Sequence, residues 1–126
     1  MQRLIFIGVA GFLGTIARFG LSEIASKRLG TSFPIGTLIV NVVGCFLAGI
    51  LFYALQERDS VSETVRLAVM VGFLGGFTTF SAFGLQTFAL LKSGEIVLAL
   101  LNVAVSNLVG IAVVCAGYSL AKFASL

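Results

Sequence analysis

The sequence predicts an all-α membrane protein with four transmembrane helices, on three observations: an apolar excess, four apolar runs of spanning length, and short polar punctuation between them. Of its 126 residues 59% are hydrophobic and 10% charged, against roughly 45–50% and about 25% in soluble domains. A soluble fold of this size leaves about a third of its unfolded surface exposed, so the excess would face water. That excludes a soluble enzyme, a nucleic-acid reader and a disordered segment. The net charge of +3 comes from eight scattered Lys and Arg, with no basic run to attract a polyanion. Histidine, the commonest metal ligand and general base, is absent. Cys45 and Cys115 lie in apolar stretches and read as small fillers.

A membrane helix needs about 20 mostly apolar residues to cross a hydrocarbon core of roughly 30 Å. The first run covers residues 4–22 and carries one charge, Arg18, near its far end. Arg3 ahead of it also fits the start of a secretory signal peptide. However, no clear cleavage site follows, and three helices would then stand alone. The polar residues 23–33 separate it from the second run, 34–56, which opens on Pro34 with Thr31 or Ser32 as a cap. A charged turn, Glu57, Arg58, Asp59 and Ser60, follows. The third run, 65–91, crowds Gly72, Gly75, Gly76, Thr78 and Thr79 into its centre. A loop at 92–95 leads to the fourth, 96–122. No linker or low-complexity tract divides the chain, so residues 1–126 read as a single four-helix unit.

Four spans place both termini and the second loop on one side of the membrane. That side holds Arg3, Arg58, Arg66 and Lys122; the other holds Lys27, Arg28 and Lys92, joined by Arg18 if it snorkels outward. With so little bias the chain can insert both ways, and an antiparallel, dual-topology homodimer is expected. A single orientation fixed by lipid or partner proteins is the alternative. Small residues four apart, Ala10/Gly14, Gly44/Ala48, Gly72/Gly76 and Ala112/Ala116, support close packing in a bundle.

Polar groups at membrane depth face a pathway or a helix interface. No Asp or Glu falls in the middle of a span, so the titratable carboxylate of a proton-coupled transporter is missing. What remains is neutral: Thr37 and Asn41 on span two, Thr78, Thr79, Ser81 and Gln86 on span three, Asn102, Ser106 and Asn107 on span four. Neutral donors beside one cation, Arg18, suit an anion. A hydroxyl can instead bond back to its own helix, whereas an amide has more groups to satisfy. Three glycines within five residues, followed by paired threonines, predict a break at the centre of the third span. Carbonyls freed there, meeting those of an antiparallel copy, can hold a small cation such as Na⁺; unbroken packing against the glycines is the alternative. Phe80 and Phe83 sit three apart on one face, where their electropositive edges can meet an anion or simply pack.

Three stretches carry a resemblance: Gly11-x-x-Gly14-x-x-x-Arg18, residues 34–44 (PIGTLIVNVVG), and residues 72–81 (GFLGGFTTFS). Through them the chain resembles the Fluc (CrcB) family of fluoride channels along nearly its whole length. The resemblance implies an antiparallel dual-topology dimer with two passive, selective fluoride pores in a lipid bilayer, the inner or plasma membrane of a cell, and a structural Na⁺ at the dimer centre. By position, Asn41 matches the family's pore asparagine, Phe80 and Phe83 its pore phenylalanines, and the carbonyls of Gly75 and Thr78 its sodium ligands. Ser106 matches the pore serine of span four, with Asn107 taking that place if the register slips by one. Thr37, Thr79, Ser81 and Asn102 complete the expected ion pathway, and Arg18 is its structural charge. Ala82, Gly84 and Gln86 stand where the family usually carries Thr, Ser and Glu, and Asn102 where many members carry Tyr.

The expected function is therefore passive fluoride export, with no catalysis and no nucleic-acid partner. A dual-topology drug exporter has similar size and charge balance, but it wants a carboxylate in the first span, which has only Arg18. A non-conducting subunit of a heterodimeric channel is the other alternative.

Overall fold

The computed structural model describes residues 1–57 and 61–124. Arg58, Asp59 and Ser60 of the expected charged turn lie outside the described residues. The described chain is helical, with four segments long and apolar enough to cross a membrane: Gln2–Leu29, Ile35–Gln56, Glu63–Lys92 and Ile96–Phe123.

Helix α1 (Gln2–Leu29) outruns the expected first span by seven residues. The polar residues 23–29 mark where the chain leaves the apolar layer, not where the helix stops. They contain no Gly or Pro, Glu23 pairs with Lys27 one turn on at 3.3 Å, and Lys27 and Arg28 suit the negative end of the helix dipole. Gly30 ends it, with a φ of 92° that a side chain rarely adopts. Helix α2 (Ile35–Gln56) starts just after Pro34, and neither Thr31 nor Ser32 supplies a side-chain cap. Its last turn, Phe52–Gln56, widens to π-type spacing.

The third span consists of α3 (residues 63–77) and α4 (Phe80–Lys92). Ser62 starts α3, accepting from the Val65 N–H at 3.4 Å, and Ala68–Phe73 has π-type spacing. Between the two pieces Thr78 (φ −87°, ψ 158°) and Thr79 (φ −151°, ψ 115°) are extended. Thr79 then caps α4, its hydroxyl oxygen accepting from the Ala82 N–H at 3.2 Å. A turn containing Gly94 (φ 81°) leads to α5 (Ile96–Phe123).

The helices pair most extensively as α2 with α5 and α1 with α3. In lipid, backbones approach where side chains are small. A Cβ on Gly14 would strike the Phe73 carbonyl, one on Gly76 the Gly11 carbonyl, and one on Gly72 would come within 2.6 Å of the Ile7 carbonyl oxygen. The α2–α5 crossing depends on Gly49, against Val114, and Gly117, against Phe46. Ala112 and Ala116, expected at a packing interface, are instead exposed. Gly44 makes room for the Thr78 methyl and the Phe77 ring. Few large side chains are buried, Val40, Leu74 and Phe77 among them, while Phe12, Phe19, Leu108 and Ile111 are exposed. Such an apolar surface is what hydrocarbon solvates.

Candidate functional site

A cavity of about 320 Å³ opens beside the extended pair Thr78–Thr79, walled by α2, α4 and α5. Asn41, Thr79, Phe80, Phe83, Ser106 and Asn107 all line it. The cavity borders the interruption of the third span, where two extended residues, Thr78 and Thr79, separate α3 from α4 and Thr79 restarts the helix.

An extended pair inside a span leaves backbone groups without helical partners, and in lipid these must be satisfied. Asn41 does this. Its Nδ2 donates to the Thr79 carbonyl at 3.0 Å, and the Thr79 N–H donates to its Oδ1 at 2.8 Å. The amide thus imitates a neighbouring peptide group and pins α2 to the interruption. One Nδ2 proton remains for the cavity. Arg18 meets the other side of the interruption. Its Nε donates to the Gly76 carbonyl at 3.0 Å, placing a cation at the negative end of α3. It therefore turns inward to the backbone, not outward along its span.

The hydroxyls divide by role. Thr78 donates back to the Leu74 carbonyl at 2.9 Å, as ordinary helix hydroxyls do. Thr79 and Ser81 share a contact of 3.3 Å, with Ser81 exposed outside the cavity lining. Phe80 and Phe83 stand with ring centroids 5.4 Å apart and planes at 46°. Phe83 is half-buried, whereas Phe80 is 82% exposed on the outer surface.

Asn102 is only 2% exposed and lies behind the cavity, outside its lining. It belongs to a hydrogen-bonded chain: Thr87 donates to the Phe83 carbonyl at 2.8 Å, Asn102 Nδ2 donates to Thr87 Oγ1 at 2.9 Å, and Ser106 donates to Asn102 Oδ1 at 3.3 Å. The directions follow from each group's inventory, because Thr87 spends its only proton on a carbonyl. Asn102 thus orients Ser106, by the longest bond of the three. Asn107 lines the cavity and donates to the Val103 carbonyl at 2.7 Å. Sequence reasoning did not single out Thr87; an Asn four residues from a Ser on one face was the available signal.

Thr37 lies elsewhere. It is buried one turn before Asn41 and lines a different cavity, together with Gln86. Gly75 is exposed, and a Cβ there would meet nothing within 4 Å. The arrangement near Asn41 offers neutral N–H and O–H groups, aromatic edges and no carboxylate, chemistry suited to a small anion.

The CrcB-like protein family (Camphor Resistance, CrcB) matches residues 5–118 of this chain. Among curated relatives, the fluoride-specific ion channel FluC of Desulforapulum autotrophicum is 42% identical over 121 residues, covering 96% of this chain and 97% of its own. That of Citrifermentans bemidjiense is 43% identical over 106 residues, 84% of this chain and 86% of its own. That of Geotalea daltonii is 41% identical over 123 residues, 98% and 99% respectively.

Proposed function

The chain belongs to the CrcB-like family, and from that membership we propose that it is a fluoride-specific ion channel, not an enzyme, through which fluoride leaves the cell passively across the inner or plasma membrane. The observation that carries this reading is the neutral, anion-compatible cavity beside Thr78–Thr79, found in a chain whose relatives are named for fluoride. The drug-exporter alternative draws no support from either.

Fluoride is small and holds its water tightly, so a selective pathway must replace that water with fixed donors in a narrow space. The free Nδ2 protons of Asn41 and Asn107 and the edges of Phe80 and Phe83 are the groups that meet the ion. Ser106 joins them by turning its proton from Asn102 Oδ1, a bond of 3.3 Å that is weak enough to exchange. Thr79 and Ser81 flank the entrance. The absence of a carboxylate spares the anion a repulsive neighbour.

Two copies complete the channel, antiparallel, with the third span broken at its centre in each. This is supported by the exposure of Phe80, Ser81 and Asn107 within the apolar layer, where polar groups need a partner surface. The near-zero charge bias allows both orientations. A structural Na⁺ fits the carbonyls of Gly75 and Thr78, joined by the same pair from the second copy. Arg18 already occupies the Gly76 carbonyl, and the space beside Gly75 is open. When bound, the cation supplies charge neutralisation for half-helix ends that would otherwise repel one another.

The test is anion release from liposomes containing only the purified chain, followed with fluoride and chloride electrodes in parallel. Fluoride release without chloride is expected. Well-folded protein that releases no fluoride overturns the reading.

A further inference from the structure

On its α5 wall the cavity beside Asn41 is lined by Ser106, whose hydroxyl is governed from outside the cavity by Thr87 of α4. Thr87 is half-buried, lines no part of that cavity, and stands one turn after Phe83. Its hydroxyl has a single proton, which it donates to the Phe83 carbonyl at 2.8 Å. With that proton spent, Thr87 Oγ1 can only accept. Asn102 therefore turns its Nδ2 toward it, at 2.9 Å.

An amide that points its nitrogen one way points its oxygen the other. Asn102 Oδ1 thus faces Ser106, and Ser106 donates to it at 3.3 Å. That direction matters to an anion. A serine whose proton is spent on Asn102 has only oxygen lone pairs left for the cavity, and lone pairs repel a negative ion. With the amide reversed, Nδ2 would donate to Ser106 and the serine proton would be free for the ion. Reversal needs Thr87 to donate to Oδ1, and Thr87 would first have to give up the Phe83 carbonyl. The burial of Asn102, at 2% exposure, keeps bulk water from replacing either partner.

We propose that Thr87 is a positioning residue for fluoride passage. By fixing the Asn102 amide it keeps the Ser106 proton turned away from the cavity, so that an arriving ion must draw the proton across before Ser106 can bind it. The cavity thereby holds the ion weakly enough to release it, as conduction requires. The proposal rests on the channel reading above and adds to it a residue that sets ion affinity without touching the ion.

The experiment records fluoride currents of the purified chain in planar bilayers against fluoride concentration, which separates affinity from maximal current. Thr87→Val keeps the side-chain shape and removes the acceptor, while the Phe83 carbonyl keeps its helical partner, the N–H of residue 87. The amide is then free to reverse. The half-saturating fluoride concentration is expected to fall about threefold or more, the worth of one hydrogen bond, with a lower maximal current. Thr87→Ser retains both bonds and is expected to match the unsubstituted chain. Thr87→Ala is expected to repeat the valine result, which keeps the test decisive if valine is poorly accommodated. In a Ser106→Ala background, Thr87→Val is expected to shift nothing, because the proton it controls is gone. A half-saturating concentration that does not fall in the valine and alanine variants, whatever the maximal current does, overturns the positioning role and leaves the channel reading standing. A fall that persists without Ser106 does the same. Absence of fluoride current from the unsubstituted chain overturns both.

Discussion

Asn41 has two duties that different substitutions separate. Asn41→Ala removes both bonds to Thr79 and leaves backbone groups unpaired at the interruption, a loss of about 1–3 kcal/mol per orphaned group. A lower melting temperature in detergent and at least tenfold slower fluoride release are expected together. Asn41→Asp keeps the acceptor for the Thr79 N–H but places a negative charge beside the Thr79 carbonyl and in the pathway, and it should abolish fluoride release. Normal release would remove Asn41 from the pathway. Phe80→Ile and Phe83→Ile should each slow fluoride release while gel filtration still reports the same assembly; if both conduct normally, the ring edges have no part in conduction. At this scale the sequence was legible wherever a residue type is rare for its setting. An amide in an apolar helix drew attention to Asn41, but the same reasoning placed Asn102 in the pathway. The structure puts it behind Ser106, because composition cannot say which side of a helix faces the cavity.

The helices carry their own logic. The helix ends lie within a few residues of the apolar runs in most cases, since hydropathy and length are properties of composition. The exception is α1, which continues to Leu29 because polar residues without Gly or Pro end a membrane crossing without ending a helix. The packing was less legible. Small residues four apart occur in every span, yet Ala112 and Ala116 are exposed while Gly49 and Gly117 make the α2–α5 crossing. Gly117→Val should therefore overpack against the Phe46 carbonyl and cost about 1–3 kcal/mol. Gly20→Ala, with open space around it, should leave the melting temperature within error of the unsubstituted chain. Equal effects from the two would show that the crossing has slack.

For the whole molecule, the expectation that follows from the charge balance is insertion in both orientations. Lys27 lies exposed near the end of α1, beyond the apolar run. In Lys27→Cys protein reconstituted into sealed liposomes, an impermeant thiol reagent added outside should label about half the introduced cysteine, and the remainder only after the membrane is opened. Complete labelling from one side would mean a single orientation and would remove the antiparallel pair. Assembly was the least legible property in the sequence. It depends on which surfaces remain uncovered, and the 82% exposure of Phe80 becomes apparent only once the chain is folded.

The pairing of Asn41 with Thr79 also bears on how the protein is made. The partners are 38 residues apart, so α2 is synthesised before the third span. Its amide has no Thr79 to pair with until the following span arrives. The interruption in that span, in turn, arrives with its clamp already in place. Translation order thus makes the second helix a template for the third, and a chain with these two spans exchanged in sequence would have to insert its most irregular segment with nothing there to hold it.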